Sequence, residues 1–297
     1  MKKVIYLSLL ILSLHSCLRL DSNLYNNAKI DAYKWDGYYG AVDFFLPESY
    51  KIPPIYMNEL TLISNDTVSD TKYIIKGLYI GNMGTINQDT VILYLHGNRD
   101  HMDFYWPRAK LLANVGSKNR FGVMMIDYRG YGLSDGDPTE EGLHEDVTAA
   151  LEWLKGKGVT NERLIMYGFS LGSAPATKLV AHPRSTLIPS KLILENPFAS
   201  AEVMVQDASR LAMPSSFFVN VKVDVAQEIK SVQQPFLLLS SKDDKFLKPE
   251  TNADLVAKNY KGIYKEVHCV LGADHGTLQS TWGFENYTKT IEAFILK

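Results

Sequence analysis

Leu164-Ile165-Met166-Tyr167-Gly168-Phe169-Ser170-Leu171-Gly172 is an apolar run that ends in a serine between two glycines, and Ala174-Pro175-Ala176-Thr177-Lys178-Leu179 follows it. The stretch reads as strand, tight turn, helix. Glycines on either side of a serine allow a turn too sharp for larger side chains, so Ser170 Oγ is pushed out at the carboxyl end of a sheet strand. Such a nucleophile elbow implies acyl-transfer chemistry. Three fixed letters alone arise by chance in about one chain in ten of this length. The reading therefore depends on what surrounds them.

Outward from the turn the chain alternates. Short apolar runs at Asn58–Ile63, Tyr73–Ile80, Val91–Leu95, Phe121–Ile126, Leu164–Tyr167, Lys191–Leu194, Phe236–Leu239 and Lys265–Leu271 predict eight strands. Helical patterns at Glu140–Lys155, Ser173–Ala181, Asn252–Asn259 and Tyr287–Leu296 lie between or after the later runs. In the first of these, Leu143, Val147, Ala150, Leu151 and Leu154 fall on one face, and Gly156 and Gly158 end the helix. Strands alternating with helices predict an α/β fold with a mostly parallel sheet covered on both faces. Residues 58–297 form this predicted domain, and residues 17–57, rich in Asn, Asp and Tyr, a tether and irregular lead-in.

The chain has 297 residues, 46% hydrophobic and 22% charged, with a formal net charge of −2. That composition is globular, and the absence of long basic runs argues against a nucleic-acid partner. A small-molecule or lipid-like substrate fits better.

At the N-terminus, Met1-Lys2-Lys3 is followed by an apolar stretch, Val4–Leu14, too short to span a bilayer. Residues 1–16 read as an export signal. Leu14-His15-Ser16-Cys17 resembles the lipobox of bacterial lipoproteins, which implies cleavage before Cys17, acylation of that cysteine and a lipid-anchored protein of the cell envelope. The plain alternative is a secretory signal with an incidental cysteine. The only other cysteine, Cys269, lies in a strand-like run and is expected to be a buried, inert thiol.

Acyl transfer needs a base, a group that orients the base, and donors for the oxyanion. His275, in Gly272-Ala273-Asp274-His275-Gly276, follows the last predicted strand and is the expected base. The orienting acid should follow the penultimate strand, where Ser240-Ser241-Lys242-Asp243-Asp244 offers two aspartates. Asp244 is favoured, because one residue more lets the loop turn back toward the histidine; Asp243 is its competitor. Glu195, at the end of the strand before, could serve if the acid had migrated, but it reads rather as a polar strand-end residue. Leu171 N–H and Asn98 N–H, the latter in Leu95-His96-Gly97-Asn98, are the expected oxyanion donors. His96, His101 and Asp103 have a spacing that invites a metal reading, but no matching cluster occurs elsewhere, and neither metal nor cofactor is required.

These segments, with Asp127-Tyr128-Arg129-Gly130-Tyr131-Gly132-Leu133-Ser134-Asp135-Gly136 and Glu195-Asn196-Pro197-Phe198, resemble the α/β-hydrolase superfamily, most closely the abhydrolase-domain serine hydrolases that include depalmitoylases and lysophospholipases. The resemblance covers about residues 58–297. It implies Ser170 as nucleophile, Asp244 as acid, His275 as base, and Asn98 with Leu171 at the oxyanion hole. Ser240-Ser241 stands where the family usually has His-Gly before the acid loop. Arg129 is expected to brace its loop rather than to bind substrate.

Only about forty residues separate the strand ending at Glu195 from the one starting at Phe236, which predicts a small lid or none and an open site. Met204, Met213, Phe217, Phe218 and Phe104-Tyr105-Trp106 are candidates for an acyl pocket or for core packing. The expected reaction is hydrolysis of a carboxylic ester or thioester. A serine peptidase or amidase of the same fold, and a non-catalytic binding protein, are the alternatives. A haloalkane or epoxide hydrolase would carry Asp in place of Ser170.

Overall fold

The computed structural model describes residues 24–117, 120–209 and 222–297. The expected export signal at residues 1–16, the expected lipidation site Cys17, and Met213, Phe217 and Phe218 lie outside the described residues.

Eight strands form one sheet: β1 (Met57–Asp66), β2 (Thr71–Ile80), β3 (Val91–Leu95), β4 (Gly122–Ile126), β5 (Leu164–Phe169), β6 (Lys191–Glu195), β7 (Phe236–Ser241) and β8 (Lys265–Val270). Their order across the sheet is β1-β2-β4-β3-β5-β6-β7-β8. Only β2 runs against its neighbours; every other adjacent pair is parallel. Strands β3 to β5 are buried at every residue, as a parallel sheet covered on both faces requires, whereas β1 alternates buried with exposed positions as an edge strand.

Alternate side chains of the central strands enter two separate cores. Val91, Leu93, Leu95, Leu164 and Met166 pack toward helices α2 (Glu140–Gly156) and α3 (Ser173–Ala181). Ile92, Tyr94, Ile165 and Tyr167 pack on the other face toward α1 (Met102–Ala113) and, near the C-terminus, Leu278 and Ile291. The period of two in the strands thus sorts the sequence into two hydrophobic layers. Helix α2 opens on Thr139, whose Oγ1 accepts from Gly142 N at 3.0 Å, and buries Leu143, Val147, Ala150, Leu151 and Leu154.

The remaining helices are α4 (Ala201–Ser209), α5 (Val225–Glu228), α6 (Ala253–Asn259), α7 (Leu278–Trp282) and α8 (Phe284–Leu296). No helix among the described residues is long and apolar enough to cross a membrane. Cys269 is a correction to the expectation of a buried thiol. It is exposed, because β8 is the edge of the sheet and its outer face is left open.

The described part of the lead-in is packed onto the fold. Asn26 and Asn27 pair in parallel with Arg99 and Asp100; Tyr33 Oη donates to Asp127 at 2.7 Å; Asp36 accepts from Trp106 Nε1 at 2.8 Å. These contacts lay the segment along the carboxyl ends of the strands, beside the site.

Candidate active site

Ser170 follows β5 directly and opens the one-turn helix that leads into α3. Its φ of 49° places a non-glycine residue in the left-handed region, a local strain that the surrounding backbone must hold. Both glycines of the turn are required by close approach. A Cβ on Gly172 would stand 2.1 Å from Leu95 O, and one on Gly168 would stand 2.6 Å from Gly172 O.

The structure brings Ser170, His275 and Asp244 together. His275 Nε2 is 2.9 Å from Ser170 Oγ, and His275 Nδ1 is 2.6 Å from Asp244 Oδ2. A carboxylate at Nδ1 fixes the proton there and leaves Nε2 as acceptor for the serine hydroxyl. The other Asp244 oxygen accepts the backbone N–H groups of Phe246 and Leu247, both at 2.8 Å. Asp243 is elsewhere, accepting from Gly272 N at 2.7 Å.

Among the described residues the backbone N–H groups of Leu171 and Asn98 have no acceptor. Leu171 is adjacent to Ser170 in the chain, and Asn98 and Ser170 line the same cleft, of about 450 Å³. The Asn98 side chain is committed to the lead-in: Oδ1 accepts from Asn26 N at 3.1 Å and from Tyr131 Oη at 2.7 Å, while Nδ2 donates to Leu24 O at 2.5 Å. Phe104, Tyr105, Phe169 and Phe246 supply aromatic wall to the cleft. Trp106 instead packs edge-on against Trp35, and Met204 packs at the core's margin.

Comparison with known proteins agrees with this fold. Residues 86–227 match the family profile described as serine aminopeptidase, S33. Protein bem46 of Schizosaccharomyces pombe is 33% identical over 53% of this chain and 52% of its own length, so the match spans about half of that relative. The α/β hydrolase domain-containing protein WAV2 of Arabidopsis thaliana is 28% identical over 85% of this chain and 84% of its own. Among solved structures, the Pyrococcus furiosus esterase Pf2001 superposes with a TM-score of 0.65 over 92% of this chain and 97% of that one, at 17% identity, a likeness of fold. The chain has the α/β-hydrolase fold, and its sequence resembles that superfamily over about half of its length. These likenesses support hydrolase chemistry as a class.

In this fold the loops that carry Asp244 and His275 are tied to each other. Asn196, just past β6 at φ 43°, donates through Nδ2 to His275 O at 2.7 Å and to Ser241 Oγ at 2.9 Å, and its Oδ1 accepts from Ser241 N at 2.7 Å. Ser241 Oγ in turn donates to Asp274 O at 2.9 Å. Asp274 Oδ1 accepts from Lys245 N and His275 N; the Lys245 N–H foremost holds this carboxyl below its ordinary range. The serine pair that departs from the family pattern thus contributes Ser241 as a strut between the acid loop and the base loop.

Sequence reading missed a second layer beneath the cleft. Glu195 is fully buried and gathers Arg108 Nη1, Tyr167 Oη at 2.5 Å, Tyr287 Oη at 3.1 Å and Gln279 Nε2 at 2.7 Å. Arg108 Nη2 donates to Asp43 Oδ2 and to Gly276 O, each at 3.0 Å, and its guanidinium lies 3.8 Å above the Phe169 ring. Burial disfavours the Arg108 cation, but Glu195 and Asp43 outweigh it and hold the group charged. Phe169 precedes Ser170 and lies 5.3 Å from the His275 ring, so the ion pair underlies both Ser170 and His275. The only local signal was Glu195 at a strand end.

Other residues singled out by the sequence have structural partners. His96 Nδ1 is 2.7 Å from Gly97 O, and its ring stacks on Tyr105. His101 caps α1 by accepting from Asp103 N, while Asp103 accepts from Lys34 N and Trp35 N. Arg129 donates to Asp66, Glu145 and Asp146.

Proposed function

We propose that the protein is a serine hydrolase that cleaves a carboxylic ester or thioester through an acyl-Ser170 intermediate. The observation that carries the reading is the position of His275, with Nε2 on Ser170 Oγ and Nδ1 on a fully hydrogen-bonded Asp244. Ser170 Oγ attacks the acyl carbonyl as His275 Nε2 takes its proton, and Asp244 stabilises the resulting imidazolium. The Leu171 and Asn98 N–H groups receive the oxyanion. His275 then protonates the leaving group, and a water activated by the same nitrogen releases the acyl group from Ser170.

Labelling by a fluorophosphonate probe, followed by turnover of p-nitrophenyl esters of increasing chain length, tests this on the intact protein and on Ser170→Ala. Equal labelling of both proteins would sink it, and no labelling of either would favour a binding protein of the same fold.

A second reading, a peptidase or amidase, is favoured by one observation, the likeness of residues 86–227 to serine aminopeptidases. It predicts faster turnover of amino-acid p-nitroanilides than of the esters. For the cellular setting, the lipobox-like Leu14-His15-Ser16-Cys17 favours export and a lipid anchor at Cys17. Incorporation of a fatty-acid analogue that persists in Cys17→Ala would rule that out.

A further inference from the structure

We propose that Arg99 binds a negatively charged group of the substrate, so that the preferred ester carries an anion close to the bond that is cleaved. The inference rests on the reading of Ser170 as nucleophile and adds a substrate class to it.

The charged side chains that line the cleft besides His275 are Asp43, Arg99 and Asp274. Both carboxylates are matched. Asp43 accepts from Arg108 at 3.0 Å; Asp274 accepts two backbone N–H groups and stands 3.3 Å from Lys245 Nζ. Arg99 is not matched in this way. Among the described residues its guanidinium makes no hydrogen bond, and its nearest carboxylate, Asp100, is 4.0 Å from Nε. Both terminal nitrogens are therefore available as a planar fork, the geometry that suits a carboxylate or phosphate.

The backbone that carries the fork is held in place. Arg99 N donates to Tyr105 Oη at 3.0 Å, the residue pairs with Asn26, and its guanidinium lies 5.3 Å over the Phe104 ring. It follows Asn98, the expected oxyanion donor, by one residue, so its charge belongs to the loop that receives the reacting carbonyl. At 57% side-chain exposure the cation is hydrated in the free protein, and the gain on binding is that of one charge-assisted contact. Aromatic wall and, beside it, a guanidinium with no hydrogen bond among the described residues suit an amphiphilic ester.

The test compares kcat/KM for four esters on wild type, Arg99→Gln, Arg99→Lys and Ser170→Ala. The probes are p-nitrophenyl butyrate, neutral; mono-p-nitrophenyl glutarate, with the carboxylate on the acyl side; 4-butyryloxybenzoate, with it on the leaving group; and 4-butyryloxy-N,N,N-trimethylanilinium, a cation. Arg99→Gln should lower the anionic-to-neutral ratio about tenfold for one of the two carboxylate esters, mainly through KM, and Arg99→Lys should restore part of it. The ester affected tells which side of the carbonyl faces Arg99. A ratio unchanged in Arg99→Gln, or a wild-type preference for the cationic ester, would overturn the proposal. If wild type turns over none of the esters, or Ser170→Ala turns them over fully, the reading of Ser170 falls and takes this inference with it.

Discussion

Asp244 and His275 meet through a 2.6 Å contact in which the aspartate presents its second oxygen to two backbone N–H groups, so the carboxylate cannot rotate away from the ring. Asp243, one residue earlier, is spent on Gly272 N. Asp244→Asn should therefore lower kcat on a p-nitrophenyl ester by about 10⁴, because the amide stabilises the wrong tautomer. Asp243→Asn should cost far less. Equal losses in the two variants would show that the loop does not distinguish them.

Ser170→Ala should remove nearly all turnover, on the order of 10⁶ in kcat, with little change in folding. Retention of a normal circular dichroism melt alongside the loss of rate separates chemistry from collapse.

Gly172→Ala places a methyl group 2.1 Å from Leu95 O, which belongs to a central strand and cannot yield. The variant should be destabilised well beyond the cost expected for a methyl group in open space. Urea unfolding beside Gly156→Ala, where a Cβ meets nothing within 4 Å, provides the comparison.

Removing Arg108 strands the Glu195 carboxylate in the core. Arg108→Met should cost about 3–5 kcal/mol, and the double variant Arg108→Met with Glu195→Gln should lose less than the sum of the two single changes. Additive losses in a double-mutant cycle would show that the pair is not coupled.

His144 in α2 is buried, and that burial, with Arg184 nearby, lowers its pKa from the ordinary 6.5 to about 4. Between those values the unfolded chain binds a proton that the folded one does not, so this residue makes stability rise with pH from about 4 to 6.5. His144→Gln should flatten the slope of unfolding free energy over that range. An unchanged slope would place the acid sensitivity elsewhere.

The sequence made the sheet legible because its strands are short, nearly continuous apolar runs, and it made Ser170, Asp244 and His275 legible because each follows a strand in a fixed order. Helix α1 escaped for a physical reason. Ten of its twelve residues are buried, so no polar face marks a helical period, and Pro107 lies inside it. The Arg108–Glu195–Asp43 cluster escaped because its members are far apart in the chain and meet only across the fold. Cys269 was misjudged because a strand-like run does not reveal whether its strand ends at an edge.

Asn26 and Asp43, which line the cleft, come from residues that precede the first strand of the sheet. A fragment beginning at residue 58 would keep all eight strands nearly whole, yet it would open one wall of the cleft, free the Asn98 side chain from Leu24 and Asn26, and leave Arg108 without Asp43. A unit that keeps the walls of the cleft is therefore longer than one that keeps only the sheet, and it reaches back at least to Asn26.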